Sequence, residues 1–131
     1  SGRLQHEVTH AVVAANAAFY AAFSRGSARD MAAVWCNSRH AKCVHPGGPL
    51  LMGFETIMAS WHDILGAGGG RQAAVAMRDA SVQAAVGMAW VSGLEVIEGS
   101  EHQPPLATNV FERHEGRWLM VMHHTSLNLM T

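Results

Sequence analysis

His45, in the run Cys43-Val44-His45-Pro46, is the side chain of this sequence best placed for chemistry. Proline pushes the residue before it towards an extended backbone, so the preceding strand fixes the direction of the imidazole. An imidazole held in a fixed direction, with a pKa near neutrality, is suited to accept or donate a proton. A structural histidine with satisfied hydrogen bonds is at least as good an interpretation of one isolated residue.

Two polar groups in the last third of the chain are candidates to join His45. His123 and His124 are adjacent on a predicted strand, so only one of them can point to the concave face of a sheet. Asn109 lies on the neighbouring predicted strand, with apolar residues on its own face. Burying an unpaired amide is costly, so Asn109 either donates to a ligand oxygen or bonds a nearby histidine or backbone group.

Glu95 lies in the apolar run Gly93-Leu94-Glu95-Val96-Ile97. If this carboxyl is partly buried, its pKa is raised and it can act as an acid. An exposed position at the edge of a strand is the alternative, and the sequence alone favours it.

The run His6-Glu7-Val8-Thr9-His10 matches the HExxH pattern of zinc hydrolases. On a helix the two histidines share a face, with the glutamate as base. Only five residues precede the motif, and Val13 and Asn16 occupy the positions where a longer zinc pattern requires glycine and histidine. We therefore interpret the motif as the solvated first turn of a helix, and we predict no bound metal.

Tryptophans on three predicted elements are candidates to line an apolar pocket. Trp35, Trp61 and Trp90 all fall on predicted buried faces. Indoles that converge on one space can shape a binding site. An ordinary core is the alternative for each of them.

The composition limits the classes of function. A chain of 131 residues predicts a single domain over residues 1–131. A net charge of −1 excludes a basic surface for nucleic acid or a membrane, and the longest apolar stretch is too short to span a bilayer. Cys36 and Cys43 do not form a CxxC pair, which favours reduced thiols in a cytoplasmic protein.

The first half of the chain has helical periodicity. One apolar stripe recurs at steps of four and three residues through Val8, Val12, Ala15, Phe19 and Ala22, and Gly26 follows it. Ser27, with Asp30 three residues later, predicts the start of a second helix that runs through Trp35. A third helix is predicted from Phe54 to Leu65, with a glycine-rich loop at 66–70 after it.

The second half has the alternation of strands. Apolar residues alternate from Val82 through Trp90, and two further runs flank His114-Glu115-Gly116, which predicts a hairpin. Helices followed by a meander of strands predict an α+β fold, with the helices on one face of a mainly antiparallel sheet.

The segments "FYAAFSRGSARDMAAVW", "KCVHPGG", "MGFETIMASW", "GMAWVSGLE", "ATNVFERHEGRW" and "HHTS" together resemble a SnoaL-like member of the nuclear transport factor 2-like (NTF2-like) superfamily, over residues 8–126. The resemblance implies a cone: a curved, mainly antiparallel sheet and three N-terminal helices around a pocket. It also implies a homodimer through the outer face of the sheet. Trp118, Met120 and Met122 would then form an apolar strip on that face, beside His124.

Two relatives within that superfamily orient the candidate residues. In ketosteroid isomerases, which the chain resembles, the catalytic aspartate precedes a proline as His45 does here. The isomerase's oxyanion tyrosine falls at Phe19 and its oxyanion aspartate falls near Ala107, so both groups are missing. The association domain of calcium/calmodulin-dependent protein kinase II has a similar C-terminal segment. Its pocket arginines fall near Ser92 and Thr125, and because neither residue is basic, capture of a carboxylate by those arginines is not supported.

The resemblance and the residues lead to one functional prediction. We expect a protein that binds a small apolar organic molecule, without a cofactor, and that transfers protons in an isomerisation, dehydration or cyclisation. The predicted catalytic residues are His45, Asn109 and His123, and the predicted pocket-lining residues are Phe19, Trp35, Trp61, Trp90, Phe111 and Thr125. A non-catalytic dimerisation or ligand-sensing module is the alternative, and it predicts a small or filled cavity.

Overall fold

Three helices lie in the first half of the ranges that the computed structural model describes, residues 2–66 and 73–129. α1 spans Gly2–Arg25, α2 spans Ala28–Val34 and α3 spans Phe54–Leu65. The predicted stripe of α1 faces inward, since Val12, Phe19 and Ala22 are buried. Gly66 caps α3 as predicted, and residues 67–70 of the predicted loop lie outside the described residues.

α2 begins as its sequence predicts. Ser27 has an extended backbone, and its Oγ accepts a hydrogen bond from the Asp30 amide at 3.0 Å. The helix ends one residue before its predicted end, because Trp35 adopts an extended backbone and forms an isolated bridge to Met120.

Six strands of the described residues form one sheet. They are β1 (Lys42–Val44), β2 (Leu50–Met52), β3 (Val75–Ala85), β4 (Met88–Ile97), β5 (Leu106–His114) and β6 (Arg117–Ser126). The strand order is β2-β1-β6-β5-β4-β3, and only the β1–β6 pair is parallel. The predicted α+β fold with a mainly antiparallel sheet is therefore confirmed. Two register shifts, in β3 and between β5 and β6, bend the sheet around the helices.

The β5–β6 hairpin is also confirmed. Its loop consists of Glu115 and Gly116, both with positive φ, and His114 is the last residue of β5. Two consecutive residues of positive φ match the right-handed twist of the strands that they join.

The prediction of one continuous alternating run from Val82 to Trp90 is wrong. A two-residue turn at Val86-Gly87 divides the run and pairs Ala85 with Met88. After the register shift of β3, its inward residues are consequently even-numbered, whereas those of β4 are odd-numbered. Trp90 therefore lies on the outer face, 43% exposed, and does not line an interior pocket.

The prediction that Met120 lies on the outer face of β6 is wrong, because β6 contains a bulge. Val110 pairs with Met122, but Phe111 pairs with Met120, so Val121 is the extra residue. Met120 consequently turns inward and is fully buried. The predicted strip of Trp118, Met120 and Met122 is therefore not continuous.

Large side chains fill the space between the helices and the sheet. Phe19, Trp61 and Phe111 are fully buried, and Trp35 nearly so. The rings of Phe19 and Trp61 meet edge to face, with their centroids 5.5 Å apart.

Among the described residues, no helix has the length and apolarity needed to cross a bilayer.

Candidate functional site

His45 directly follows β1, where the Pro46 argument places it. Its Nε2 lies 2.9 Å from the hydroxyl of Ser60 on α3, and that hydroxyl donates to the Ile57 carbonyl at 2.6 Å. Ser60 therefore accepts the Nε2 proton of His45, which leaves Nδ1 as the proton acceptor. Burial lowers the pKa of His45 below its usual value, so the ring is neutral near pH 7.

Behind His45 lies a buried polar network formed by Asn16, Tyr20, Glu95, Asn109 and His123. Tyr20 donates to Oε2 of Glu95 at 2.7 Å. Nδ2 of Asn109 donates to Oδ1 of Asn16 at 2.9 Å and to the Tyr20 hydroxyl at 3.2 Å. Nδ1 of His123 donates to Oδ1 of Asn109 at 2.6 Å. The hydrogen bonds thus run from the carboxyl to the imidazole through one phenol and one amide.

The secondary structure explains why these groups meet. Asn16 and Tyr20 are four residues apart on α1 and so share one face of the helix. Asn109 and His123 are direct cross-strand partners on β5 and β6. Glu95 is an inward residue of the neighbouring strand β4.

Two roles were predicted for Asn109, and the structure shows the second of them, a hydrogen bond to a neighbouring histidine. Both protons of its amide are donated to α1, and its oxygen accepts from His123. The amide therefore holds the His123 ring and has no proton left for a ligand oxygen.

The pKa values of Glu95 and His123 are shifted in opposite directions. Glu95 is 3% exposed, and burial raises the pKa of its carboxyl to about 7, against the smaller lowering effect of the Tyr20 hydrogen bond. Burial lowers the pKa of His123 to about 3, and the nearby His45 and His124 add to this effect. The carboxyl, not the imidazole, therefore holds the proton of this pair below pH 7.

A pocket of about 300 Å³ opens beside Glu95, at the end of the sheet. Most of its wall is apolar, and it is lined by Pro46, Glu95, Val96, Ile97, Ser100, His102, Gln103, Pro104, Pro105 and Leu127. The hydrogen bond that the structure describes for Glu95 uses Oε2, and Oε1 has no hydrogen-bond partner among the described residues. A carboxyl with a shifted pKa in the wall of an apolar pocket is a candidate group for proton transfer.

The structure brings some predicted site residues together and separates others. The ring centroids of His45 and His123 are 6.3 Å apart, and the Trp61 ring contacts both rings. The Thr125 hydroxyl donates to the Val44 carbonyl at 2.9 Å. Phe19, Trp35, Trp61, Phe111 and Thr125 are all buried inward, but none of them lines the pocket beside Glu95. His124 lies on the outer face and is exposed.

The HExxH motif has the solvated position that we expect. His6, Glu7 and His10 are exposed on the first turns of α1. In the described ranges, these three side chains do not form a group with donor atoms close enough for one metal ion.

Two members of the polar network, Asn16 and Tyr20, are absent from the predicted site. Alignment to the isomerase pattern assigns the tyrosine position to Phe19, whereas the phenol that reaches the network belongs to the next residue. Polar residues inside the inward stripe of α1 are the signal that could have identified both. Glu95 is buried, which the sequence did not favour, because it faces inward on β4 and its carboxyl meets Tyr20 of α1.

Comparisons with known proteins assign this α+β domain, with its curved, mainly antiparallel sheet, to a family. The chain matches the SnoaL-like domain family over residues 12–130 and belongs to that family. A candidate dehydratase of the NTF2-like family from Streptomyces avermitilis superposes with a TM-score of 0.84 at 26% identity, covering 96% of this chain and 99% of that one.

Two further relatives come from different contexts. A candidate calcium/calmodulin-dependent protein kinase type II association domain from Thiobacillus denitrificans is 37% identical, with a TM-score of 0.68, over 88% of this chain and 93% of that one. The F-box protein SKIP8 of Arabidopsis thaliana is 32% identical over 125 residues, or 95% of this chain. The chain spans 53% of that curated relative, about half of its length.

Proposed function

We propose that this protein binds a small, mainly apolar organic molecule in the pocket beside Glu95 and exchanges a proton with it. The observation that carries the proposal is the buried Glu95 carboxyl, with a pKa raised to about 7, in the wall of a pocket of about 300 Å³. A base is most effective when its pKa lies near the working pH. The reaction class is an isomerisation, dehydration or cyclisation that needs no cofactor.

The proton step follows from the chemistry of the carboxylate. Ionised Glu95 takes a proton from a carbon next to a carbonyl group, and the electron pair of that C–H bond moves to the carbonyl oxygen as an enolate. If a C=C bond is conjugated with the enolate, return of the proton to the far carbon of that bond shifts the double bond and completes an isomerisation. If the carbon next to the deprotonated one carries a hydroxyl group, delivery of the proton to that group breaks its C–O bond, the enolate electron pair forms the new C=C bond, and water leaves as the second product.

The other groups of the buried network, together with His45, support Glu95 in this proposal. Tyr20 holds Oε2, and Asn109 connects Tyr20 to His123, so these are positioning residues. His45, whose neighbour Pro46 lines the pocket, retains Nδ1 for a second proton step. The likeness to the Streptomyces avermitilis candidate dehydratase supports this class of reaction.

A test uses cyclohexanone, a small apolar ketone, as the probe. In D₂O, protein-dependent loss of its α-proton NMR signal should rise with pH and level off above pH 7, where Glu95 is ionised. Glu95→Gln should remove this exchange, whereas the exposed Glu55→Gln should retain it. His45→Gln should retain part of it. Equal rates for the Glu95 and Glu55 variants would refute the role of Glu95.

The filled interior favours a second candidate function, a non-catalytic dimerisation module. Four of the five predicted pocket-lining aromatic residues, all except Trp90, are packed in the core, as this alternative requires. Trp90, Val110 and Met122 form one cross-strand row on the outer face, which suits contact with a second copy. We infer a homodimer through this face.

The free thiols of Cys36 and Cys43 support a cytoplasmic location.

A further inference from the structure

We propose that Cys36, His40, Glu112 and His114 form a binding site for one Zn²⁺ ion. The site lies where the segment after α2 meets the end of β5, and it is separate from the pocket beside Glu95. Donor atoms of Cys36, Glu112 and His114 all lie within 4.8 Å of one another. His40 adds a fourth donor, with its Nε2 3.0 Å from Oε1 of Glu112.

Two distances within this cluster are close to those between neighbouring ligand atoms of a tetrahedral zinc ion. Zinc binds sulfur at about 2.3 Å and nitrogen or oxygen at about 2.0–2.2 Å, which places neighbouring ligand atoms roughly 3.3–3.6 Å apart. The Sγ of Cys36 lies 3.6 Å from Nε2 of His114. Oε1 of Glu112 lies 3.0 Å from Nε2 of His114. The donor atoms of Cys36, Glu112 and His114 are close enough to share one ion, and the His40 ring, which lies outside that group of three, would move towards it to supply the fourth ligand.

The backbone holds these side chains in place. Glu112 and His114 are two residues apart near the end of β5, so they share a face of the sheet. The Cys36 amide donates to the Met120 carbonyl at 2.9 Å, which fixes the start of the other segment. Ser38 Oγ lies 3.0 Å from Nδ1 of His40, so that imidazole presents Nε2 to the group. A partner on the second nitrogen is typical of metal-binding histidines.

The chemistry of the donors selects the metal. One thiolate, two imidazoles and one carboxylate suit Zn²⁺, whereas Mg²⁺ and Ca²⁺ prefer sites made only of oxygen. The thiolate of Cys36 and the carboxylate of Glu112 would neutralise the two charges of the ion. Cys36 is buried but both histidines are about half exposed, so the ion can enter from solvent.

Four protein donors leave no open position, so the ion would be structural and not catalytic. It would join Cys36 to His114, 78 residues later in the chain. The segment between α2 and β1 would thereby be fastened to the β5–β6 hairpin.

Titration of the chelator-treated full chain with Co²⁺ tests the proposal. We expect one equivalent to bind, with a thiolate-to-metal charge-transfer band and the strong visible bands of tetrahedral Co²⁺. Added Zn²⁺ should displace the cobalt and raise the Tm of the protein. Cys36→Ala should remove the charge-transfer band, whereas Cys43→Ala, which changes the other buried thiol, should keep it.

Three further variants separate a metal site from a hydrogen-bonded cluster. Glu112→Gln and His114→Gln should weaken Co²⁺ binding roughly tenfold or more, and Ser38→Ala about 10-fold to 100-fold. The double variant His6→Ala/His10→Ala should bind as the parent does. Absence of stoichiometric binding, or a charge-transfer band that survives Cys36→Ala in a folded protein, would overturn the proposal.

Discussion

The Nε2 atom of His123 lies 3.6 Å from Oε2 of Glu95, with both side chains almost completely buried. The distance is within the range of an ion pair, yet the shifts of the two groups favour a neutral pair. The same desolvation that raises the pKa of the carboxyl lowers that of the imidazole. The site therefore combines a neutral imidazole with a carboxyl that titrates near pH 7.

Glu95→Gln should change how stability depends on pH. A carboxyl whose pKa rises from 4.5 to about 7 on folding stabilises the fold fully below pH 4.5, and this contribution is lost as pH rises through 7. The loss is on the order of 3 kcal/mol, at 1.36 kcal/mol per pKa unit. Urea unfolding at pH 5 and pH 8 should therefore show that the variant gains stability relative to the parent at the higher pH.

The variant must be compared with the parent protein because His123 contributes a pH dependence of stability that is opposite in sign to that of Glu95. Its pKa falls from 6.5 to about 3 on folding, so its contribution is lost as pH falls below 6.5. The difference between parent and Glu95→Gln isolates the carboxyl. The exposed Glu55→Gln is the control, and an equal pH dependence in both variants would contradict a raised pKa at Glu95.

His123 should remain neutral across physiological pH, with its proton on Nδ1. The hydrogen bond of 2.6 Å to Oδ1 of Asn109 fixes this tautomer. Ring ¹⁵N chemical shifts between pH 5 and pH 8 check the prediction. A His123 ring that gains a proton in this range, or that carries its proton on Nε2, would be inconsistent with the network.

Asn109→Ala should destabilise the protein strongly. It leaves the Nδ1 proton of His123 and the oxygen of Asn16 buried without this partner, at about 1–3 kcal/mol for each group. Thr108→Ala, on the exposed face of the same strand, should change the free energy of unfolding by about 0.5 kcal/mol or less. Chemical denaturation measures both, and similar losses would show that the network adds little stability.

Gly93→Ala should destabilise by about 1–3 kcal/mol, because it forces atoms into occupied space. A Cβ at Gly93 would lie 2.6 Å from Cγ of Met77 and 2.8 Å from the Arg78 carbonyl oxygen. Met77 can move, but the carbonyl belongs to the backbone of β3. Gly2→Ala, with nothing within 4 Å of its Cβ, is the matched control. Thermal unfolding of both variants is the measurement, and a neutral Gly93 variant would contradict the close approach of β3 and β4.

Trp90→Glu should convert the proposed dimer into a monomer, because it places a charge in the apolar row of the outer face. Val86→Glu, at the fully exposed turn between β3 and β4, should leave the dimer unchanged. Sedimentation velocity measures both. A monomeric parent protein, or a Trp90 variant that stays dimeric, would exclude this face as the interface.

Local pattern was sufficient for most of the secondary structure. Helix α3 has its predicted bounds because Gly53 and Gly66, both with positive φ, limit it on either side. The Ser27 cap and the Glu115-Gly116 loop are short-range features of the same kind. Each depends on residues within four positions, so the sequence alone predicts them.

Side-chain direction was predicted less well, because it depends on where strands turn and bulge. The turn at Val86-Gly87 reverses the inward positions on β4, so Trp90 faces outward. The bulge at Val121 does the same to Met120. In both cases one residue of register moves a side chain to the other face.

The sequence by itself determined the α+β architecture and the position of His45 after the first strand, because these follow from periodicity and local backbone chemistry; the family resemblance came from the similarity of several sequence segments. Only the tertiary structure decided that Asn109 bonds His123, that Tyr20 reaches Glu95 and that the Glu95 carboxyl is buried beside a pocket. Those two hydrogen bonds join residues 14 and 75 positions apart. Burial then sets the pKa values, and burial is a property of the packed chain.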